Sequence, residues 1–170
     1  MNEMTLQQTA APVTALVTVP NSSPRSSSSP KSECVKAAER EAARIRWLLA
    51  INPNTPTPVL EHLANDSSPS MLEPIAENPK SSSATLTRLA AHGNAQVRAA
   101  VAENANLSPK TAWRLAQDAS ADVRMRLAES YFAPLEVLRM LCGDENPYVQ
   151  HRAQLTLGRL VGEITAFRLA

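Results

Sequence analysis

From about residue 52 onward the sequence repeats itself with a period of 26 residues. The segment 52–64 (NPNTPTPVLEHLA) is similar to the segment 104–116 (NANLSPKTAWRLA), which lies two periods later. Apolar residues recur at this spacing in three columns: Leu63, Leu89, Leu115 and Leu141; Leu60, Leu86, Ala112 and Leu138; Met71, Val97, Val123 and Val149. A fixed period of about 20–50 residues is typical of stacked repeat architectures. The chain is therefore predicted to fold as a succession of similar units.

Each unit is predicted to contain two short helices. The first half places apolar residues at i, i+3 and i+4, as in Leu60, Leu63 and Ala64, and the second half places them at i and i+4. Each second helix is predicted to begin with a favoured N-cap and a suitable N1 residue: Ser68–Pro69, Asn94–Ala95, Ser120–Ala121 and Asn146–Pro147. Thr57–Pro58 and Ser108–Pro109 indicate similar starts for first helices. Pro74 falls inside a second helix, where proline disrupts a regular α-helix, so a 3₁₀ turn is expected there.

Helices this short are marginal in water by themselves, so burial between neighbouring units must stabilise them. Aromatic residues make up only 4% of the chain, so alanine, leucine and valine must fill the core. Segment 32–50 aligns as an earlier unit, with Ile45 and Leu49 in the Met71 and Ile75 columns, and is expected to cap the N-terminal end. Segment 155–169 is expected to close the other end. The predicted fold is an all-α solenoid of about four 26-residue two-helix repeats with capping helices.

The composition divides the chain into a disordered arm, residues 1–31, and a helical repeat domain, residues 32–170. Segment 20–32 is mostly Ser and Pro and offers little apolar surface to offset the entropy of ordering. The arm is either a simple tether or, through the β-prone segment 13–19 (VTALVTV), a strand that docks on a partner. No basic residue precedes the apolar stretch 10–19, and no run of about 18 apolar residues exists, so a cytoplasmic protein without a membrane span is expected.

Asp118, followed by Val123, Arg124, Leu127 and Ala128, resembles the D-x4-V-R-x2-V-A core of leucine-rich repeat variant units, which are related to HEAT repeats. The resemblance covers about residues 34–157 and implies a right-handed, armadillo-type superhelix of the kind found in bacterial helical repeat proteins. The departures from the motif are Leu72 and Gln150 in place of Arg, His92 in place of Asp, and Ser130–Tyr131–Phe132 in place of an Asn-Pro turn. One member of the family carries an iron–sulfur cluster on a cysteine-rich segment. This chain has no such segment, so no cofactor is implied.

Six arginines that recur in register are the first candidate binding residues: Arg88, Arg98, Arg114, Arg124, Arg126 and Arg152. Rows of arginine can hold phosphates or carboxylates through paired hydrogen bonds. The resemblance implies instead that Arg98 and Arg124 form a structural ladder with the motif Asp, since Asp118 lies six residues before Arg124. Both interpretations stay open at this stage.

A second column contains Glu77, Glu103 and Glu129. Helices in contact lie about 8–10 Å apart, whereas a two-metal site needs metals about 3.5–4 Å apart. The column is therefore predicted to be a solvated or arginine-paired edge and not a metal site.

Aromatic residues near the C-terminal end form the third candidate, with Tyr131 and Phe132 at its centre. They either cover the last leucines or anchor a partner. The sequence holds no phosphate loop, nucleophile elbow or histidine spacing typical of metal ligands, so no catalytic residue is predicted.

These features predict a non-enzymatic interaction module that binds a protein or peptide partner through its repeat surface. The alternative is a nucleic-acid-binding protein that uses the arginine rows, as HEAT-like DNA-binding proteins do. The net charge of +1 argues against that alternative, because nucleic-acid-binding domains are usually clearly basic.

Overall fold

The computed structural model describes residues 30–65 and 68–169, and in these residues the chain is all-helical. The helices are α1 (Pro30–Ile51), α2 (Thr57–Leu63), α3 (Pro69–Glu77), α4 (Ser83–Leu89), α5 (Ala95–Glu103), α6 (Pro109–Leu115), α7 (Ala121–Glu129), α8 (Leu135–Leu141) and α9 (Pro147–Leu169). The predicted all-α class is thus confirmed over this part of the chain. Most of the Ser/Pro-rich arm, including the β-prone segment 13–19, lies outside the described residues.

The predicted starts of all four second helices are confirmed, because α3, α5, α7 and α9 begin at residues 69, 95, 121 and 147. The N-cap side chains are used unequally. Asn94 accepts a hydrogen bond from the Gln96 N–H and Asn146 accepts one from the Tyr148 N–H. Ser120 makes no such side-chain bond to its helix, and the Ser68 hydroxyl hydrogen-bonds instead with the hydroxyl of Ser70.

The first helices α4 and α6 begin after Ser82 and Ser108, whose hydroxyls accept from the N–H groups three residues later. Helix α2 departs from the expectation that Thr57 caps it. It begins at Thr57 itself, after Pro56, and the Thr57 hydroxyl donates to the Lys80 carbonyl at 3.0 Å. The prediction was wrong by one residue, because Thr57 hydrogen-bonds to the next unit.

The prediction of a 3₁₀ turn at Pro74 was also wrong, since α3 is a nine-residue α-helix that contains this proline. Proline removes one hydrogen bond from the helix. Four apolar side chains of α3 are buried, namely Met71, Leu72, Ile75 and Ala76. Their burial offsets the missing bond, and packing overrides the local preference.

The long helices contact one another in chain order, α1 with α3, α3 with α5, α5 with α7, and α7 with α9. Each short helix contacts the long helix on either side of it in sequence. The core lies between these two sets of helices and contains the leucine column of the short helices and the valine column of the long ones. Its buried residues are alanine, leucine, valine, isoleucine and methionine, with no aromatic side chain among those described, as the low aromatic content predicts.

Buried asparagines link successive turns between long and short helices. Asn78 Nδ2 donates to the carbonyls of Ala50 and Asn52 at 2.7 and 2.9 Å. Asn104 Nδ2 makes the same two bonds 26 residues later, to Ala76 and Asn78, at 2.7 and 2.9 Å. Each asparagine therefore supplies a side-chain donor to a carbonyl in the last turn of the preceding long helix, and a second donor to the carbonyl just after that helix, which also accepts a backbone N–H.

The N-terminal helix is less covered than expected. Ile45 and Leu49 fall in columns that are buried elsewhere, but they are 50% and 38% exposed, and Ala50 is the buried residue of α1. Helix α1 contacts α3 at the N-terminal end of the described helices, but the burial of these columns does not extend to it. The reason is that no short helix precedes α1 in the described chain, so nothing there covers this side of it.

Candidate functional site

Two of the predicted site residues, Arg98 and Arg124, lie in a ladder that joins neighbouring long helices and loops. Arg98 donates from Nε and Nη2 to the two carboxylate oxygens of Asp118 at 2.7 and 2.8 Å. Its Nη1 donates to the carbonyls of His92 and Gly93 at 2.8 and 3.0 Å. All the polar atoms of this guanidinium therefore face protein acceptors.

Arg124 makes the next rung in the same way. Nε and Nη2 donate to both oxygens of Asp144 at 2.8 and 3.1 Å, and Nη1 donates to the Asp118 carbonyl at 2.7 Å. The side chains of Arg124 and Asp144 are only 8% and 6% exposed. Such two-pronged pairs combine two charge-assisted hydrogen bonds and are stronger than single-bonded ion pairs.

The ladder changes the acidity of its carboxylates. The hydrogen bond from Arg98 holds the pKa of Asp118 below its usual range. Burial by itself would raise the pKa of Asp144, but hydrogen bonds from Arg124 and from the Asn146 N–H outweigh burial and lower it. Both carboxylates are therefore charged at neutral pH and belong to the scaffold.

One Arg–Asp pair of the ladder is absent, because both of its positions carry other residues. In both intact rungs the carboxylate lies twenty residues after its arginine, and the same spacing from Leu72 leads to His92. His92 keeps one of the roles of the aspartate, because its Nδ1 accepts from the Asn94 N–H at 3.1 Å, as Asp118 accepts from Ser120 at 2.9 Å. Leu72 is buried in the core. The two departures from the repeat motif are therefore partner positions of one missing ion pair.

The glutamate column pairs with a second set of arginines. Arg126 Nη1 lies 2.6 Å from Glu103 Oε1, and Arg152 Nε lies 3.4 Å from Glu129 Oε1. The prediction of an arginine-paired edge is confirmed for these two glutamates. Both pairs are about half exposed, so each contributes little to stability.

Glu77 differs from the other two members of its column. In both pairs the arginine lies 23 residues after the glutamate, and residue 100, at that spacing from Glu77, is alanine. Burial raises the pKa of Glu77, and the nearby carboxylates of Glu103 and Glu73 raise it further, while Arg126 lowers it in part. Glu77 therefore carries a negative charge that its surroundings disfavour.

A shallow groove lies beside Glu77, across α3, α5 and α7. The small side chains of Ala99 and Ala100 line it together with Glu73, Glu77 and Glu103, and its volume is about 80 Å³. Gln96 and Arg126 complete the lining. The groove is open and mostly acidic. Because residue 100 is alanine, space remains that a larger side chain at this position would fill.

The remaining two predicted arginines lie at the end of the short helices. Arg88 Nη1 donates to Asn65 Oδ1 at 3.1 Å. One period later, Arg114 corresponds to Arg88 and Ala91 corresponds to Asn65, so the side-chain acceptor is missing. Arg114 makes no hydrogen bond or ion pair within residues 30–65 and 68–169. Arg114 instead lines an open cleft of about 340 Å³ with Gln117 and Asp118. The six arginines thus do not converge on one site.

The two predicted aromatic residues, Tyr131 and Phe132, lie in different environments. The Tyr131 hydroxyl accepts a hydrogen bond from Arg159 of α9, whose guanidinium lies 5.7 Å from the centre of the tyrosine ring. Phe132 is 61% exposed. Tyr131 therefore contacts the last helix, and the role of Phe132 as a cap or an anchor stays a prediction.

No group of three or more His, Cys, Asp or Glu side chains in the described residues could hold a metal ion. Burial raises the pKa of the Cys142 thiol, which disfavours the thiolate. No helix in the described part of the chain combines the length and apolar character that crossing a bilayer requires.

Neither a family model, nor a curated protein, nor a solved structure matches this chain. The resemblance to leucine-rich repeat variant units therefore stays a prediction that rests on the motif residues.

Proposed function

We propose that this protein is a non-enzymatic interaction module, a right-handed α-solenoid of leucine-rich repeat variant type that binds a protein segment in the groove of α3, α5 and α7. The solenoid part of the proposal is supported by helices that start at a constant spacing of 26 residues and by the chain order of their contacts. The asparagine bonds that recur after one period support it as well. Solenoids commonly bind partners along such extended surfaces.

The observation that carries the binding proposal is the missing arginine of Glu77. Two glutamates of the column already have a cation, while Glu77 has alanine in the corresponding place. The small side chain of Ala100 leaves space where a guanidinium would lie. A Lys or Arg side chain of a bound segment would fill this space and relieve the repulsion among Glu73, Glu77 and Glu103.

The same geometry disfavours the nucleic-acid alternative. Four of the six candidate arginines pair with carboxylates of this chain, namely Arg98, Arg124, Arg126 and Arg152. The groove itself carries carboxylates, which repel phosphates. A peptide with a basic side chain fits this surface better than a phosphate backbone does.

Peptide binding tests the proposal directly. Fluorescence polarisation would compare a library of labelled 15-residue peptides that carry a central Lys or Arg with matched peptides that carry norleucine. We expect the best basic peptides to bind about two- to fivefold more tightly than their norleucine counterparts, because Glu77 and Glu103 are exposed and an exposed ion pair contributes about 0.5–1 kcal/mol.

Ala100→Arg supplies the missing arginine and should abolish this binding. Ala91→Arg adds the same charge at an exposed position away from the groove and serves as the matched control. Equal binding of basic and norleucine peptides, or unchanged binding by Ala100→Arg, would refute the proposed groove.

A further inference from the structure

Helix α1 carries an apolar stripe that the rest of the described chain leaves exposed. The stripe has the alternating three- and four-residue spacing of a coiled-coil seam. Its members are Val35, Ala38, Ala42, Ile45 and Leu49, all of them exposed. An unpaired seam of this length predicts a helical partner.

The position of the stripe explains why it is uncovered. Every other long helix follows a short helix that contacts it, whereas α1 follows none in the described residues. Ile45 and Leu49 correspond to Met71 and Ile75, which are 7% and 0% exposed. The uncovered side of α1 is therefore the side on which the other units receive a helix.

We propose that a second copy of this chain covers the stripe, and that the two α1 helices pair in antiparallel orientation around a two-fold axis. In the register that we propose, Ala38 lies opposite the partner's Leu49, and Ala42 lies opposite the partner's Ile45. Each contact occurs twice by symmetry. Large side chains then meet small ones, which is the condition for close packing of two helices.

Charge complementarity supports the same register. Glu39 and Arg46 flank the stripe on one side and are both exposed. In the antiparallel register Glu39 lies within about 3 Å, along the helix axis, of the partner's Arg46, given a rise of 1.5 Å per residue. Two attractive pairs form. A parallel pair would instead place alanine against alanine at positions 38 and 42 and leave the seam poorly filled.

Sedimentation velocity of the full chain at about 1–100 µM tests this inference, which is independent of the proposed peptide groove. We expect the wild type to dimerise and Glu39→Arg or Arg46→Glu alone to weaken dimerisation by roughly tenfold, since each turns two attractions into repulsions. The double variant Glu39→Arg, Arg46→Glu exchanges the charges and should restore the dimer.

Arg40→Glu changes an exposed charge on the opposite side of α1 and should leave dimerisation unchanged. Circular dichroism and thermal melting of every variant would separate lost association from lost folding. A wild type that stays monomeric throughout, or a double variant no better than the single ones, would overturn the inference. If the wild type is monomeric, residues 1–29 or a different protein would be the remaining candidates to cover the stripe.

Cys34 reports on the orientation. The antiparallel register separates the two Cys34 residues by about 28 Å along the axis, whereas a parallel pair brings them together. Air oxidation followed by a non-reducing gel should therefore give no Cys34-linked dimer in a Cys142→Ser background. A disulfide-linked dimer in high yield would overturn the antiparallel register.

Discussion

The guanidinium of Arg124 bonds both carboxylate oxygens of Asp144, twenty residues later in the chain, and also the backbone carbonyl of Asp118, six residues earlier. One side chain therefore joins two successive loops through α7. Both side chains are almost fully shielded from solvent, so removal of one partner leaves the other charge poorly hydrated.

We expect Arg124→Ala to lower the free energy of unfolding by about 3 kcal/mol, because Asp144 would be left as a buried charge without a cation. Arg139→Ala removes an exposed pair with Glu136 and should cost less than about 0.5 kcal/mol. Urea denaturation followed by circular dichroism measures both. Similar losses in the two variants would show that the ladder adds no more than a surface pair.

Acid should weaken the ladder. The pKa values of Asp118 and Asp144 lie below the ordinary 3.8, so their stabilisation is complete above that value and is lost as pH falls through the lowered pKa values. We expect Asp118→Asn to be less stable than wild type at neutral pH and the difference to shrink below about pH 4. Urea midpoints between about pH 7 and pH 2.5 measure it, and a difference that stays constant would contradict the assignment.

Glu77→Gln should stabilise the protein at neutral pH, because burial and two neighbouring carboxylates raise the pKa of Glu77 and so penalise its charge. The gain should vanish below the ordinary pKa of 4.5, where Glu77 is protonated in both states. Glu129→Gln is the matched control in the same column. It loses a pair with Arg152 and should not stabilise. Equal effects of the two changes on thermal melting would refute the difference between these glutamates.

The absent Arg–Asp pair can be introduced at positions 72 and 92. Leu72→Arg by itself should be strongly destabilising, because it places a charge in a buried position, and His92→Asp by itself should have a small effect. Together they should form an Arg–Asp pair, so we expect a favourable coupling energy of at least about 1 kcal/mol in the double-mutant cycle. Denaturation of the four proteins measures the coupling. Strictly additive effects would mean that positions 72 and 92 are not partners.

Asn104→Ala should lower the free energy of unfolding by about 2 kcal/mol, because the Ala76 carbonyl loses its buried side-chain donor, while the Asn78 carbonyl keeps only the Ser81 N–H. Asn106 provides the control. Its side chain also donates to two carbonyls of the preceding unit, but it is exposed, so water can replace it in Asn106→Ala. Chemical denaturation should show a clearly smaller loss for Asn106→Ala than for Asn104→Ala.

Several local features could be predicted from the sequence because they depend on neighbouring residues. Asn94 and Asn146 cap their helices with their own side chains, and the helices that follow begin at the predicted residues. Pro74 shows the limit of local reasoning, since its effect on α3 depends on how much apolar surface the helix buries elsewhere. The pairing of Glu103 with Arg126 could be expected only in outline, because the sequence does not say which arginine reaches which glutamate.

The sequence by itself determined the 26-residue spacing, the helix starts and the apolar columns, because a helical face and an N-cap are written in residues a few positions apart. The tertiary structure alone decided which partners meet across units. The sequence placed Asp118 near Arg124, yet the carboxylate of Asp118 pairs with Arg98 and that of Asp144 with Arg124. The stacking of the long helices determines which arginine meets which carboxylate. It also determines the groove beside Glu77 and the uncovered side of α1, because both depend on which helices are neighbours.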